Sequence, residues 1–187
     1  LAMGVQRMAK RHALIKRLSA VETLGCTTVI CTDKTGTLTQ NEMTVRQLWL
    51  PHQRFSVTGV GYAPTGEILS EDGRAAPVPV QGDLRQLLLA SGLCNNSRLL
   101  PPDERSDRWT VLGDPTEAAL RVAAAKGGLD LENEASCSPC LRQIPFESRR
   151  KRMTTVHQVD GAPVAYVKGA PKEILGLCTR IRVDDED

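Results

Sequence analysis

The sequence predicts an α/β protein with an α+β insert: an opening strand of a parallel sheet, followed by a larger module of antiparallel strands with flanking helices. Three observations carry that prediction. The stretch Thr27-Thr28-Val29-Ile30-Cys31-Thr32 is apolar and β-branched, the composition of a buried strand, and runs into the polar turn Asp33-Lys34-Thr35-Gly36-Thr37. Leu84, Leu87, Leu88 and Leu93 fall at helical spacing, and Asp114-Pro115-Thr116-Glu117 reads as a second helix start with Asp at the N-cap and Pro at the first helical position. Strand-like runs at 153–159 and 163–167 are joined through Asp160-Gly161, a hairpin signal.

Residues 3–18 read as a basic amphipathic helix, with Met8, Leu14, Ile15 and Leu18 set among Arg7, Lys10, Arg11, Lys16 and Arg17. Gly25 is a natural break before the first strand. From Asn41 the chain changes character. Strand-like runs at 43–50, near 55–60 and near 66–69 are separated by Pro51, Gly59, Gly61 and the Pro64-Thr65-Gly66 turn. Residues 70–82, rich in Gly, Pro, Asp and Ala, read as a loop before the helix at 83–93, and 109–112 is another short strand. The helix opened by Asp114 runs through an Ala-rich stretch to Lys126, where Gly127-Gly128 stops it. A helix at 171–178 and the strand-like Ile181-Arg182-Val183 close this region.

At 187 residues the chain is long enough for one good core, or for one domain and part of another. A net charge of +2 with 25% charged residues is ordinary for a soluble domain and does not suggest a nucleic-acid partner. No apolar run reaches the roughly eighteen residues a membrane helix needs, and no signal-peptide pattern opens the chain, so the piece itself is expected to be soluble. Among six cysteines, Cys26 and Cys31 read as small core residues, and Cys137-Ser138-Pro139-Cys140 as a loop rather than half a metal site. This usage suits a reducing, cytoplasmic setting.

Asp33 stands where chemistry gathers in open α/β sheets, at the carboxyl end of a predicted strand. Lys34 offers charge to a phosphate, Thr35 and Thr37 offer hydroxyls, and Gly36 lets the backbone approach an anion. A carboxylate in such a cradle can serve as a nucleophile and form an aspartyl phosphate. The run Cys31-Thr32-Asp33-Lys34-Thr35-Gly36-Thr37-Leu38-Thr39 resembles the phosphorylation motif of the P-type ATPases, cation pumps of the haloacid dehalogenase-like superfamily. Phosphatases of that superfamily usually carry a second Asp two residues on; here the position is Thr35, so water attack on an acyl phosphate should be slow and the intermediate should persist.

The resemblance extends along the chain. Residues 3–18 look like the stalk leaving a membrane helix, and Ser19-Ala20-Val21-Glu22-Thr23-Leu24-Gly25 like the lead-in to the phosphorylation strand. Pro145-Phe146-Glu147-Ser148-Arg149-Arg150-Lys151-Arg152-Met153 resembles the adenine-binding strand, which implies Phe146 stacked on the base and Lys151 bringing positive charge. Arg149, Arg150 and Arg152 stay open between ligand field and solvent. Lys168-Gly169-Ala170-Pro171 matches a second nucleotide motif, implying Lys168 in the adenine pocket and Gly169 as a point of close backbone approach. Glu117 has two readings, a capping-box carboxylate from its place as third helical residue and, by resemblance, a contact to the adenine amino edge.

The resemblance therefore implies ATP as substrate, Mg²⁺ held in part by Asp33 and Thr35, a transported cation bound elsewhere, and catalytic roles for Asp33, Lys34 and Thr35. It implies residues 1–42 as stalk and opening of the phosphorylation domain, and 43–187 as an incomplete nucleotide-binding domain, the chain being a cytoplasmic fragment of a type II pump. The wording Val21-Glu22-Thr23-Leu24-Gly25-Cys26 leans toward calcium-type pumps. Competing expectations are a soluble phosphotransferase of the same superfamily and a non-catalytic nucleotide-binding module.

Overall fold

The computed structural model describes residues 2–17, 19–104 and 106–183, which fall into two compact units dividing at Gln40/Asn41. Leu18 of the expected basic helix, and the acidic tail from Asp184 on, lie outside the described residues.

In the first unit, helix α1 (Ala2–Lys10) is shorter than the periodicity predicts. It ends in a Schellman arrangement: Ala13 N–H donates to the Met8 carbonyl at 2.9 Å, His12 N–H to the Ala9 carbonyl at 3.0 Å, and His12 takes a positive φ of 62°. Leu14 and Ile15, expected on its apolar face, therefore follow the helix. Helix α2 (Ser19–Gly25) ends at the predicted Gly. Residues 27–32 form no strand. They form no ladder with any strand among the described residues, and Val29 and Ile30 are 75% and 86% exposed. A β-branched run becomes a strand only when a neighbour supplies the ladder and a face to bury, and neither is present here. Cys26 and Cys31, expected in a core, are exposed for the same reason.

The second unit carries the core. Strands β1 (Gln47–Leu50), β2 (Gln53–Val57) and β3 (Ile68–Ser70) make an antiparallel sheet in that order. Helix α3 (Gly82–Leu93) follows, then the small pair β4 (Arg98–Leu100) and β5 (Thr110–Leu112). Helix α4 (Pro115–Lys126) begins as predicted, with the Asp114 carboxylate accepting the N–H groups of Thr116 and Glu117 at 2.8 and 3.2 Å. Helix α5 (Leu131–Cys137) precedes β6 (Cys140–Glu147), β7 (Arg152–Val159) and β8 (Ala162–Gly169), a second antiparallel sheet in chain order, and α6 (Pro171–Leu175) closes the unit. The predicted strand at 181–183 amounts to one bridging residue, Val183.

Helix α3 turns Leu84, Leu88, Leu89 and Leu93 inward against Ala123 and Ala124 of α4, while Met153 of β7 and Tyr166 of β8 close the core from the sheet. The alanines let the two helices pack closely. The β7–β8 hairpin turns through Asp160 (φ 49°) and Gly161 (φ 83°), the two positive values a type I′ turn demands. Lys126, at the end of α4, is buried and donates to the Thr58 carbonyl at 2.6 Å, which pins α4 to the strand β2 end. Burial, and the nearby Arg46 charge, push its amine below the ordinary lysine range.

Candidate functional site

Around Asp33 the backbone builds a small loop. Thr35 (φ −79°, ψ 124°) and Gly36 (φ 75°, ψ −1°) have the central angles of a type II turn, which requires a positive φ at its second central position. A Cβ at Gly36 would meet nothing within 4 Å, so glycine is needed there for conformation rather than for room. The Lys34 carbonyl accepts the Thr39 N–H at 3.1 Å, and the Gly36 N–H donates to Thr39 Oγ1 at 3.3 Å, closing the loop. Asp33 Oδ1 accepts the Lys34 N–H at 2.7 Å, the one hydrogen bond to this carboxylate among the described residues. The carboxylate is exposed and half engaged, with Oδ2 open to a ligand.

No cluster of three His, Cys, Asp or Glu side chains able to hold a metal occurs among the described residues. Asp33 and the Thr35 carbonyl are hard oxygen donors, and a pair of this kind fits Mg²⁺, which takes one or two protein oxygens and completes its shell with phosphate and water.

The nucleotide candidates meet in the second unit. Glu117 stands in the first turn of α4, Lys168 near the end of β8, and Lys168 Nζ lies 2.6 Å from Glu117 Oε1 with both side chains largely shielded. The other oxygen, Oε2, accepts the Asn96 N–H at 2.9 Å. Glu117 thus spends its side chain across the fold and not on the capping box; Asp114 alone caps α4. Burial raises the Asp114 pKa, but the N–H groups of Glu117 and Thr116, with the Lys168 charge, outweigh it and hold this carboxyl below its usual range.

The β6–β7 register explains where Phe146 stands. Ile144 pairs with Thr154 and Glu147 with Arg152, so Pro145 and Phe146 together oppose the single Met153, whose own partner on β8 is Lys168. A bulge of this kind re-aims a strand. It brings Phe146, 62% exposed, to the sheet end that carries Lys168.

Lys151 sits in the turn between β6 and β7 with φ 52°, its Nζ 3.9 Å from Glu173. A Cβ on Gly169 would come within 2.3 Å of the Lys151 carbonyl, so the glycine here lets that backbone in, and Ala170 N–H bonds the same carbonyl at 2.9 Å. Arg150 is committed to the fold: its guanidinium contacts Glu147 Oε2 at 2.6 Å and the Pro145 carbonyl at 2.9 Å.

No motif in the sequence singles out Asn95, Asn96 or Gln143. Asn95 Nδ2 donates to the Glu117 carbonyl at 2.8 Å, and Gln143 Nε2 to Asn96 Oδ1 at 3.1 Å. A cleft of about 530 Å³ lies elsewhere, lined by residues such as Phe55, Val80 and Leu84. It contains none of the nucleotide candidates.

Residues 83–187, the span from α3 onward that holds Glu117, Phe146, Lys151, Lys168 and Gly169, match the family described as P-type ATPase, cytoplasmic domain N. The chain belongs to the P-type ATPases. It is 51% identical over 180 residues to the probable cation-transporting ATPase F of Mycobacterium tuberculosis (strain CDC 1551 / Oshkosh), covering 95% of the chain and 19% of that protein. It is 41% identical over 185 residues to the calcium-transporting ATPase of Bacillus subtilis (98% and 20% covered) and 40% identical over 184 residues to the calcium-transporting ATPase type 2C member 1 of Bos taurus (96% and 18%). The chain spans about a fifth of the length of these curated relatives. The domain N match starts after Asp33, but the alignments to P-type ATPase relatives cover so much of the chain that they take Asp33 in. Among the described residues no helix is long and apolar enough to cross a membrane.

Proposed function

We propose that this chain is the ATP-binding and phosphoryl-accepting portion of a cation-transporting P-type ATPase, its parent moving a cation of the calcium-pump class across a membrane. The observation that carries the reading is the convergence of Glu117 and Lys168 at 2.6 Å with bulged Phe146 on one sheet end, in the span that matches domain N. Phe146 stacks on the adenine of ATP, and Lys168 and Lys151 add positive charge beside it. In the assembled parent, residues 27–32 become the opening strand of a haloacid dehalogenase-like parallel sheet completed by other segments. Its β-branched sequence and its place before Asp33 support that reading. The proposed boundary between domains at 42/43 lies beside the division of the compact units at Gln40/Asn41.

In the reaction, an Asp33 carboxylate oxygen attacks the γ-phosphorus of ATP; the bond to the bridging oxygen of ADP breaks and ADP leaves with that electron pair. Mg²⁺, when bound through Asp33 and the Thr35 carbonyl, offsets charge between carboxylate and phosphate. Lys34 contributes cationic charge beside the phosphoryl group, and the type II turn at Thr35-Gly36 keeps the loop's backbone in place without a side chain at Gly36. Thr35 supplies no proton-transfer group, so the aspartyl phosphate outlives its formation.

The test uses the full-length parent. Incubation with γ-labelled ATP and acid quench should trap a hydroxylamine-sensitive label that is lost in Asp33→Asn. The 187-residue chain alone should bind nucleotide weakly and trap no label, because a second metal-binding Asp and a phosphate-clamping Lys are expected from other parts of the parent. Label on the parent that survives Asp33→Asn would refute the assignment.

A further inference from the structure

We infer that Asn96 and Gln143 are positioning residues that set the base preference of the nucleotide site, holding Glu117 so that it favours a purine with a 6-amino group over one with a 6-oxo group. This rests on the nucleotide reading above and names its specificity.

Glu117 divides its two carboxylate oxygens between fixed partners, Oε1 to Lys168 Nζ and Oε2 to the Asn96 N–H. An ionised carboxylate only accepts hydrogen bonds, at about four lone-pair positions, so positions remain for a ligand after both contacts are made. A base arriving at this edge therefore meets an acceptor. Adenine presents the N6 amine, a donor; guanine presents O6, an acceptor, and is repelled. Lys168 has the opposite preference, since a free ammonium would draw O6. Tied to Glu117 at 2.6 Å, its charge is offset. Discrimination then depends on Glu117 staying where it is.

Three side chains keep it there. Asn95 ties the α4 backbone at Glu117 to the end of α3, bonding the Glu117 carbonyl at 2.8 Å and the Ser91 carbonyl at 3.2 Å. Gln143 grips the Asn96 side chain at 3.1 Å and so fixes the N–H that Glu117 accepts. Gln143 lies on β6, the strand that carries Phe146, so this bond sets the amine-selecting carboxylate in register with the stacking ring. Neither Asn96 nor Gln143 needs to touch the nucleotide. Both are exposed, which limits the bond between them to the lower range of hydrogen-bond contributions, about three- to ten-fold in an equilibrium constant.

The experiment titrates ATP and GTP into the chain, followed by amide NMR, for wild type, Gln143→Leu, Asn96→Ala, the double variant and Phe146→Ala. The ratio Kd(GTP)/Kd(ATP) should fall about three- to ten-fold in each brace variant with the melting temperature unchanged. The double variant should fall no further, because both side chains act through one bond. A purely structural role predicts something else, a proportional loss of both affinities at constant ratio, and that result or an unchanged ratio overturns the inference. Should Gln143→Leu fail to fold, Asn96→Ala decides alone. If wild type binds neither nucleotide, or Phe146→Ala leaves ATP affinity intact, the nucleotide reading fails and this inference falls with it.

Discussion

On the proposed function, Phe146→Ala should separate nucleotide binding from folding. The ring is 62% exposed on β6, so truncation removes little buried surface. Full burial of such a side chain contributes about 1.5–3 kcal/mol, and the shielded third or so of this ring corresponds to about 0.5–1 kcal/mol of folding stability. Stacking on a base contributes about 1–3 kcal/mol, which is about 5- to 150-fold in Kd. The variant should therefore keep most of its stability and lose most of its ATP affinity. Paired urea denaturation and ATP titration by amide NMR measure the two quantities on one sample. Glu117→Ala should weaken ATP less, since Lys168 and the stacked ring remain. An ATP Kd within about twofold of wild type would refute the stacking role, and a stability loss above about 2 kcal/mol would show that the ring is structural.

The other predictions concern the frame around the site. Gly169→Ala drives a Cβ into the Lys151 carbonyl, at 2.3 Å from backbone that cannot rotate away, and should cost about 1–3 kcal/mol in urea denaturation with a loss of nucleotide affinity as the Lys151 turn shifts. Asp114→Ala removes the α4 cap and should cost about 1 kcal/mol near neutrality. The Asp114 carboxyl is held low in the fold, so its contribution is present above its unfolded pKa and disappears as pH falls through the folded one; the variant should lose that part of the acid dependence in denaturation curves. Lys126 has a folded pKa lowered from 10.5, so the cost of burying its charge eases as pH rises from the folded value toward 10.5, and stability should climb over that window. Lys126→Met should abolish that climb while leaving the protein folded, a comparison made by urea denaturation across the alkaline range.

What the sequence revealed follows from how local each signal is. The Asp114-Pro115-Thr116-Glu117 start and the Asp160-Gly161 turn are written in adjacent residues, and both formed where predicted. Helix α5 went unseen because Glu132-Asn133-Glu134-Ala135-Ser136 has no apolar stripe; the Asp130 cap, accepting Glu132 and Asn133 N–H at 3.2 and 3.1 Å, was its one signal. Periodicity predicts too long a basic helix because composition cannot show that His12 adopts φ 62° and ends it. The candidate nucleotide roles of Phe146, Lys168 and Glu117 come only from motif resemblance. Asn96 and Gln143 were not legible at all, since they act through one backbone N–H and one amide pair between residues 21 and 47 positions apart.

The two halves of the proposed chemistry are held by different physics. Every buried side chain among the described residues belongs to the second unit, beginning at Leu48. The Glu117–Lys168 pair and the β6 bulge are consequently set by long-range packing: α3 against α4, and both against β7 and β8. Their geometry survives as long as that core does. The Asp33 loop has no such support. Its shape comes from bonds within Lys34–Thr39 and from the conformation of Gly36, and the apolar run that leads to it is exposed. A nucleophile must be held in line with its phosphorus to react, and local turn bonds alone do not fix that alignment. On the proposed function that packing comes from strands pairing with residues 27–32, which would make phosphoryl transfer a property of the assembled parent and base recognition a property of the second unit.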